Sequence, residues 1–148
     1  MFRGIAQLNL DSKGRLAVPA RHRDTLLERC GGHLVITADA DRCLLIYPLP
    51  DWELIQQKLE GLSNLDSRVR ELQRRLIGFA VDVEMDGAGR VLISPALRQF
   101  AELEKNVVLV GQGKKFELWN KDHWEQLIEG SGRLGAGGLP PELEGFSL

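Results

Sequence analysis

No stretch of this chain approaches the roughly 18 consecutive apolar residues that a membrane-spanning helix needs. No apolar signal core follows Met1-Phe2-Arg3-Gly4 either, because alternating residues and a turn begin at once. The expectation is a cytoplasmic protein. Cysteine is scarce, with Cys30 and Cys43 alone, so a disulfide framework is not expected. Cys30, His33 and Cys43 offer three metal donors at best, in no standard zinc spacing. Small apolar thiols near strands are the favoured reading for both cysteines. The three histidines, His22, His33 and His123, stand in unrelated contexts. Nucleophile-elbow, phosphate-loop and paired-histidine motifs are absent, and the glycine-rich GAGR and GQGKK segments lack the length and endings of nucleotide loops. An enzyme, a cofactor, a metal and a small-molecule substrate are therefore not expected. Charge of one sign is also lacking, with a net charge of −2 over 148 residues. Its distribution is uneven: residues 1–50 carry seven Lys or Arg against five Asp or Glu, and residues 80–129 carry six against nine. That modest excess is a weak nucleic-acid signal by itself.

What the chain does contain is a repeat of itself. LNLDSKGRLAVP at 8–19 and VEMDGAGRVLISP at 83–95 share Asp-x-x-Gly-Arg followed by an apolar run and a proline. Asp11, Gly14 and Arg15 align with Asp86, Gly89 and Arg90, and Pro19 with Pro95 after a one-residue insertion. Downstream, Leu34-Val35-Ile36 corresponds to the run beginning at Val107, and Leu44-Leu45-Ile46-Tyr47 to Phe116-Glu117-Leu118-Trp119. A tryptophan then follows in each copy, Trp52 and Trp124.

Each copy reads as β-turn-β-α-β-β. Leu8 and Leu10 alternate with polar residues, as do Val81, Val83 and Met85, which is the period of a half-buried strand. Asp-x-x-Gly is turn chemistry: the Asp carboxylate accepts nearby amides and Gly tolerates positive φ. Second strands follow at 16–18 and 91–93. Helices are expected near 20–29 and 96–104, each with its proline in the first turn, the first ended by Gly31-Gly32 and the second by Lys105-Asn106. Further strands fall at 33–38 with 43–47, and 107–111 with 115–119. One unit is too small to bury a stable core, so the halves should pair into a pseudo-twofold β sandwich or barrel. The fold class expected is α+β, rich in β.

Between the copies, 51–62 and a second run from Leu65 have helical spacing, with Ser63 or Asn64 as the cap. Leu65, Val69, Leu72, Leu76 and Ile77 share one face, and Arg68, Arg70, Arg74 and Arg75 the other. A solvated face or a subunit contact is favoured there over a DNA contact, since residues 51–79 carry no net charge. The Gly/Pro-rich 130–148 reads as a flexible tail. The resulting division is module one at 5–51, connecting helices at 52–79, module two at 80–123, and the tail.

The basic residues of the first copy cluster early: Arg3, Lys13, Arg15, Arg21, His22 and Arg23. Lys13 and Arg15 flank Gly14 at a hairpin turn, from which side chains project. A planar guanidinium can bond guanine O6 and N7 together, which suits Arg15 and, more weakly, Arg90. Lys13 and Arg3 suit phosphate contacts. Asp11, Gly14, Asp86 and Gly89 are read as structural turn residues. For Arg15 the residues alone leave two readings open, a base contact and an ion pair that holds the turn.

The MFRG start, Asp11 to Arg15, the run from Tyr47 to Trp52, Met85 to Arg90, and Lys115 to Trp119 together resemble the MraZ family, over roughly residues 1–128. The resemblance implies two SpoVT-AbrB-type domains of the swapped-hairpin class and assembly into a homo-oligomeric ring. It also implies association with the nucleoid and repression of the division and cell-wall operon through short G-rich direct repeats in double-stranded DNA. The family's Asp-x-x-x-Arg motif falls on Asp11 with Arg15 and on Asp86 with Arg90. An antitoxin-like protein that holds a protein partner, with DNA binding as autoregulation, is the alternative.

Overall fold

The computed structural model describes residues 1–130, 138–143 and 145–147. In chain order the elements are β1 (Phe2–Asn9), β2 (Arg15–Ala17), α1 (Ala20–Cys30), β3 (His33–Ala38), β4 (Leu44–Pro48), α2 (Leu49–Glu60), α3 (Ser67–Leu76), β5 (Val81–Glu84), β6 (Arg90–Leu92), α4 (Pro95–Phe100), β7 (Asn106–Gly113), β8 (Phe116–Asn120) and α5 (Lys121–Glu129). Of the expected tail, residues 131–137, 144 and 148 lie outside the described residues; Pro141–Leu143 forms a single exposed 3-10 turn.

Six strands form one antiparallel sheet in the order β1-β7-β8-β4-β3-β5. Exchanging each strand for its counterpart in the other half reproduces that order read backwards, which is the pseudo-twofold. The halves are interwoven. β1 pairs along its length with β7, from Phe2↔Gly113 to Asn9↔Asn106, and β5 pairs with β3 of the first half. At the centre β4 pairs with β8. β2 and β6 form a separate two-stranded ribbon, Arg15↔Leu92, Leu16↔Val91 and Ala17↔Arg90. No barrel closes, because β1 and β5 remain the two edges of an open sheet.

This interweaving follows from the size of each half. The main core lies on one sheet face, where Leu16, Leu26, Leu34 and Ile36 meet Val91, Ile93, Leu97, Val107 and Leu118 from the other half. On the opposite face Val35, Leu45, Tyr47, Trp52 and Leu59 pack with Leu72, Leu76 and Ile77 of α3 and its C-terminal edge. Val108 and Trp119 pack with Trp124 and Leu127 of α5. The central strands are thus covered on both faces, which explains their unbroken apolar runs. Buried Thr37 donates its hydroxyl to Leu76 O at 2.6 Å, tying α3 to β3. Arg29 Nε and Nη2 donate to the two Asp51 oxygens at 2.9 and 2.7 Å, joining α1 to α2.

Several boundaries differ from the sequence reading. Pro19 and Pro95 are not equivalent: Pro19 occupies the N-cap position of α1 without a side-chain bond, and its counterpart is Ser94, whose Oγ accepts from Leu97 N at 3.3 Å. No insertion is needed, and the separation between Asp11 and Asp86 also relates Val18 to Ile93 and Arg23 to Arg98. α4 ends at Phe100, short of residue 104, because Glu102 turns left-handed (φ 52°) and Leu103 N donates back to Arg98 O at 2.8 Å. The cap of α3 is Asp66, which accepts from Arg68 N, rather than Ser63 or Asn64. Leu65, expected on the apolar face, is 88% exposed.

Candidate nucleic-acid interface

Both Asp-x-x-Gly-Arg segments fold into the same turn. In the first, Asp11 Oδ1 accepts from Lys13 N at 2.9 Å and Arg15 N at 2.8 Å, while Oδ2 accepts from Arg15 Nε at 2.7 Å. Asp11 N donates to Arg15 O and Gly14 N to Asp11 O, both at 3.0 Å. In the second, Asp86 Oδ1 accepts from Ala88 N and Arg90 N at 2.9 Å, and Oδ2 from Arg90 Nε at 3.1 Å. One carboxylate therefore closes the turn and fixes the arginine that follows it. The Arg15 amide, first among these donors, holds the Asp11 carboxyl at about 2, below the usual carboxylate range. The amide of Arg90 lowers the Asp86 pKa in the same way.

The turn glycines carry a second constraint. Gly14 and Gly89 have φ of 83° and 77°, where a Cβ is disfavoured. A Cβ on Gly14 would also lie 2.7 Å from Arg98 Cζ, and one on Gly89 would collide with Arg23 Nε. Each turn thus rests on a helix arginine of the other half. Those arginines are held by their own backbones: Arg23 Nε donates to Val18 O at 2.7 Å and Arg98 Nε to Ile93 O at 3.0 Å. Gly14 O and Gly89 O accept from Ile93 N and Val18 N, which extends the β2–β6 ribbon to both turns.

Alternation on the ribbon sorts its residues. Leu16 and Val91 point inward and are buried, while Arg15, Ala17, Arg90 and Leu92 share the outer face. Arg15 and Arg90 are diagonal neighbours there, with Cβ atoms roughly 7 Å apart in such a register. The Arg15 and Arg90 side chains are 29% and 38% exposed, and among the described residues each bonds an acidic partner through Nε. The two ends of the ribbon differ. Around the first turn lie Lys13, Arg98 and Lys105, the last two lining a groove of about 520 Å³ with Asp11 and Glu104. Around the second, Ala88 replaces Lys13 and Arg23 is the neighbouring cation.

The expected site residues therefore fall into two places. Lys13 and Arg15 meet at one turn and Arg90 at the other, with Asp11, Gly14, Asp86 and Gly89 shaping them. Arg3 is apart, near the far end of β1 and roughly 20 Å along the strand from Asn9. Arg98 went unrecognised in the sequence; the insertion placed at Pro95 hid its equivalence to Arg23. Cys43 is buried, and the Cys30 thiol donates to Leu26 O at 3.1 Å. Among the described residues no cluster of three His, Cys, Asp or Glu has the arrangement of a metal site, and no helix is long and apolar enough to cross a membrane.

The family model of the MraZ protein, described as antitoxin-like, matches residues 1–75 and again 76–134. The chain belongs to the MraZ family. It is 60% identical to the transcriptional regulator MraZ of Nitrosomonas eutropha and 59% identical to that of Nitrosospira multiformis, each over 148 residues covering all of both chains. The transcriptional regulator MraZ of Pseudomonas aeruginosa is 53% identical over 153 aligned positions, again covering both chains in full. The paired family matches reflect the duplication seen in the sheet order, with one Asp-x-x-Gly-Arg turn in each.

Proposed function

We propose that the chain is a sequence-specific, DNA-binding transcriptional repressor that reads double-stranded DNA with the outer face of its β2–β6 ribbon. The observation that carries this reading is the pair Arg15 and Arg90, set on one face and each anchored through Nε by an aspartate. Their remaining guanidinium nitrogens suit guanine O6 and N7, and a two-stranded ribbon has the width of the major groove. Lys13 beside Arg15, and Arg3 further along β1, act as phosphate contacts. The names of the relatives support regulation rather than catalysis.

The finer reading is that the protein acts in the cytoplasm at the nucleoid. There it represses the division and cell-wall operon, its own gene included, through short G-rich direct repeats. The modules at 5–51 and 80–123, joined by 52–79 and followed by the 130–148 tail, form one reading unit. Copies assemble into a homo-oligomeric ring, with exposed Leu54, Leu62 and Leu65 as subunit contacts. Linking several turns raises apparent affinity without new contacts.

The test is binding to the DNA upstream of the gene at stepped salt. Affinity falls steeply with salt as phosphate contacts release counterions. Arg15→Ala weakens binding about tenfold or more, and Arg90→Ala weakens it less, as its surroundings hold fewer cations. Both variants binding like wild type is the outcome that overturns the site. The family's antitoxin-like description favours one alternative, a protein partner held by this fold with DNA binding as autoregulation. Co-purification with the product of a short neighbouring gene would support it.

A further inference from the structure

The outer face of the β2–β6 ribbon bears four side chains in two pseudo-twofold pairs, of which one is matched and the other is not. Arg15 corresponds to Arg90, and their anchoring aspartates correspond. Ala17, however, corresponds to Leu92. Leu92 lies directly across the ladder from Arg15, two residues along the strand from Arg90, and is 50% exposed. On this face it is the one large apolar side chain, and its position is fixed: the neighbouring Val91 and Ile93 are buried in the core at 1% and 0% exposure. A leucine that shares the outer face with both arginines, on a ribbon of groove width, would meet the same groove wall as they do. In that wall the apolar group is the C5-methyl of thymine, which lies at the same level as the guanine acceptors.

We propose that Leu92 is a specificity-determining residue that contacts the C5-methyl of a thymine next to the guanine read by Arg15. The inference rests on the DNA reading of the ribbon face above. It makes that face asymmetric: Leu92 adds a base preference at the Arg15 end, and Ala17 is too short to add one at the Arg90 end.

The experiment uses the full chain and duplexes it selects from a random pool, in which each thymine is replaced singly by deoxyuridine, removing only the methyl. Wild type loses about three- to fivefold in affinity at one thymine flanking the guanines, as expected for one buried methyl-sized group. Leu92→Ala binds the thymine and uracil duplexes equally, and Leu92→Met, which keeps an apolar reach, restores most of the difference. Three results overturn the proposal: no uracil effect in wild type, an undiminished effect in Leu92→Ala, or selected sequences without thymine beside guanine. A fourth, in which Leu92→Ala changes the oligomer's mass and Leu92→Met restores the mass but not the thymine–uracil difference, assigns Leu92 to a subunit contact and overturns it too. Failure of the underlying reading looks different: Arg15→Ala then binds the selected duplexes as wild type does, and both inferences fall.

Discussion

Asp11 shows how much a single carboxylate can organise. It accepts from two amides and from Arg15 Nε, so it shapes the turn and sets the direction of the guanidinium together. Its pKa is lowered in the fold from 3.8 to about 2. A depressed carboxylate contributes stability that is complete above its unfolded pKa and is lost as pH falls through the folded one. The thermal midpoint of the wild type should therefore drop between pH 4 and 2 more steeply than that of Asp11→Asn. Parallel curves for the two proteins in that window would show that the carboxylate's charge contributes nothing. The sequence displayed this residue's role because Asp, Gly and Arg are each chemically required at fixed offsets. It left two readings of Arg15 open, since an ion pair and a base-reading group use the same residue types. The fold shows the ion pair, with Nε engaged by Asp11, and the proposed base contact would fall to the remaining guanidinium nitrogens.

Among the elements, α1 and α4 are duplicates that begin and end by different means. Ser94 supplies a side-chain acceptor where Pro19 has none, and α1 ends on left-handed Gly31 (φ 62°) while the shorter α4 is stopped by left-handed Glu102 just past its end. Ser94→Ala should lower stability by about 1 kcal/mol in urea unfolding, the usual cost of losing such a cap. An unchanged midpoint at unchanged slope would mean that the 3.3 Å contact carries no weight. Element types were readable from alternation and helical spacing. The C-terminus of α4 was not, because Glu at a helix end gives no signal and tertiary contacts set its turn: Asn120 Nδ2 donates to Glu102 O at 2.6 Å. Strand partners were also hidden. Alternation tells which face of β1 is inward and says nothing about whether β3 or β7 lies beside it.

For the whole molecule, the strand exchange makes the halves mutually dependent. β1 completes the second half's sheet and β5 the first's, so neither has a finished core alone. The described body should unfold in one cooperative step. The tryptophans make this measurable, since Trp52 reports the first half and Trp119 with Trp124 the second. Fluorescence of Trp52→Phe and of the Trp119→Phe, Trp124→Phe double variant should give coincident denaturation midpoints, each corrected against circular dichroism of the same variant. Separated transitions would mean that the halves are independent domains.

The unlike ends of the β2–β6 ribbon have one more consequence. Two separate identical chains would build a ribbon that looks the same from either end, and a symmetric reader calls for a palindrome. Fusion into one polypeptide lifts that requirement. Lys13 and Leu92 mark one end and Ala88 and Ala17 the other, so a duplex lying along the ribbon as proposed would have a heading. Successive copies seated with the same heading would match sites that all point the same way, and an inverted site would meet the wrong end first.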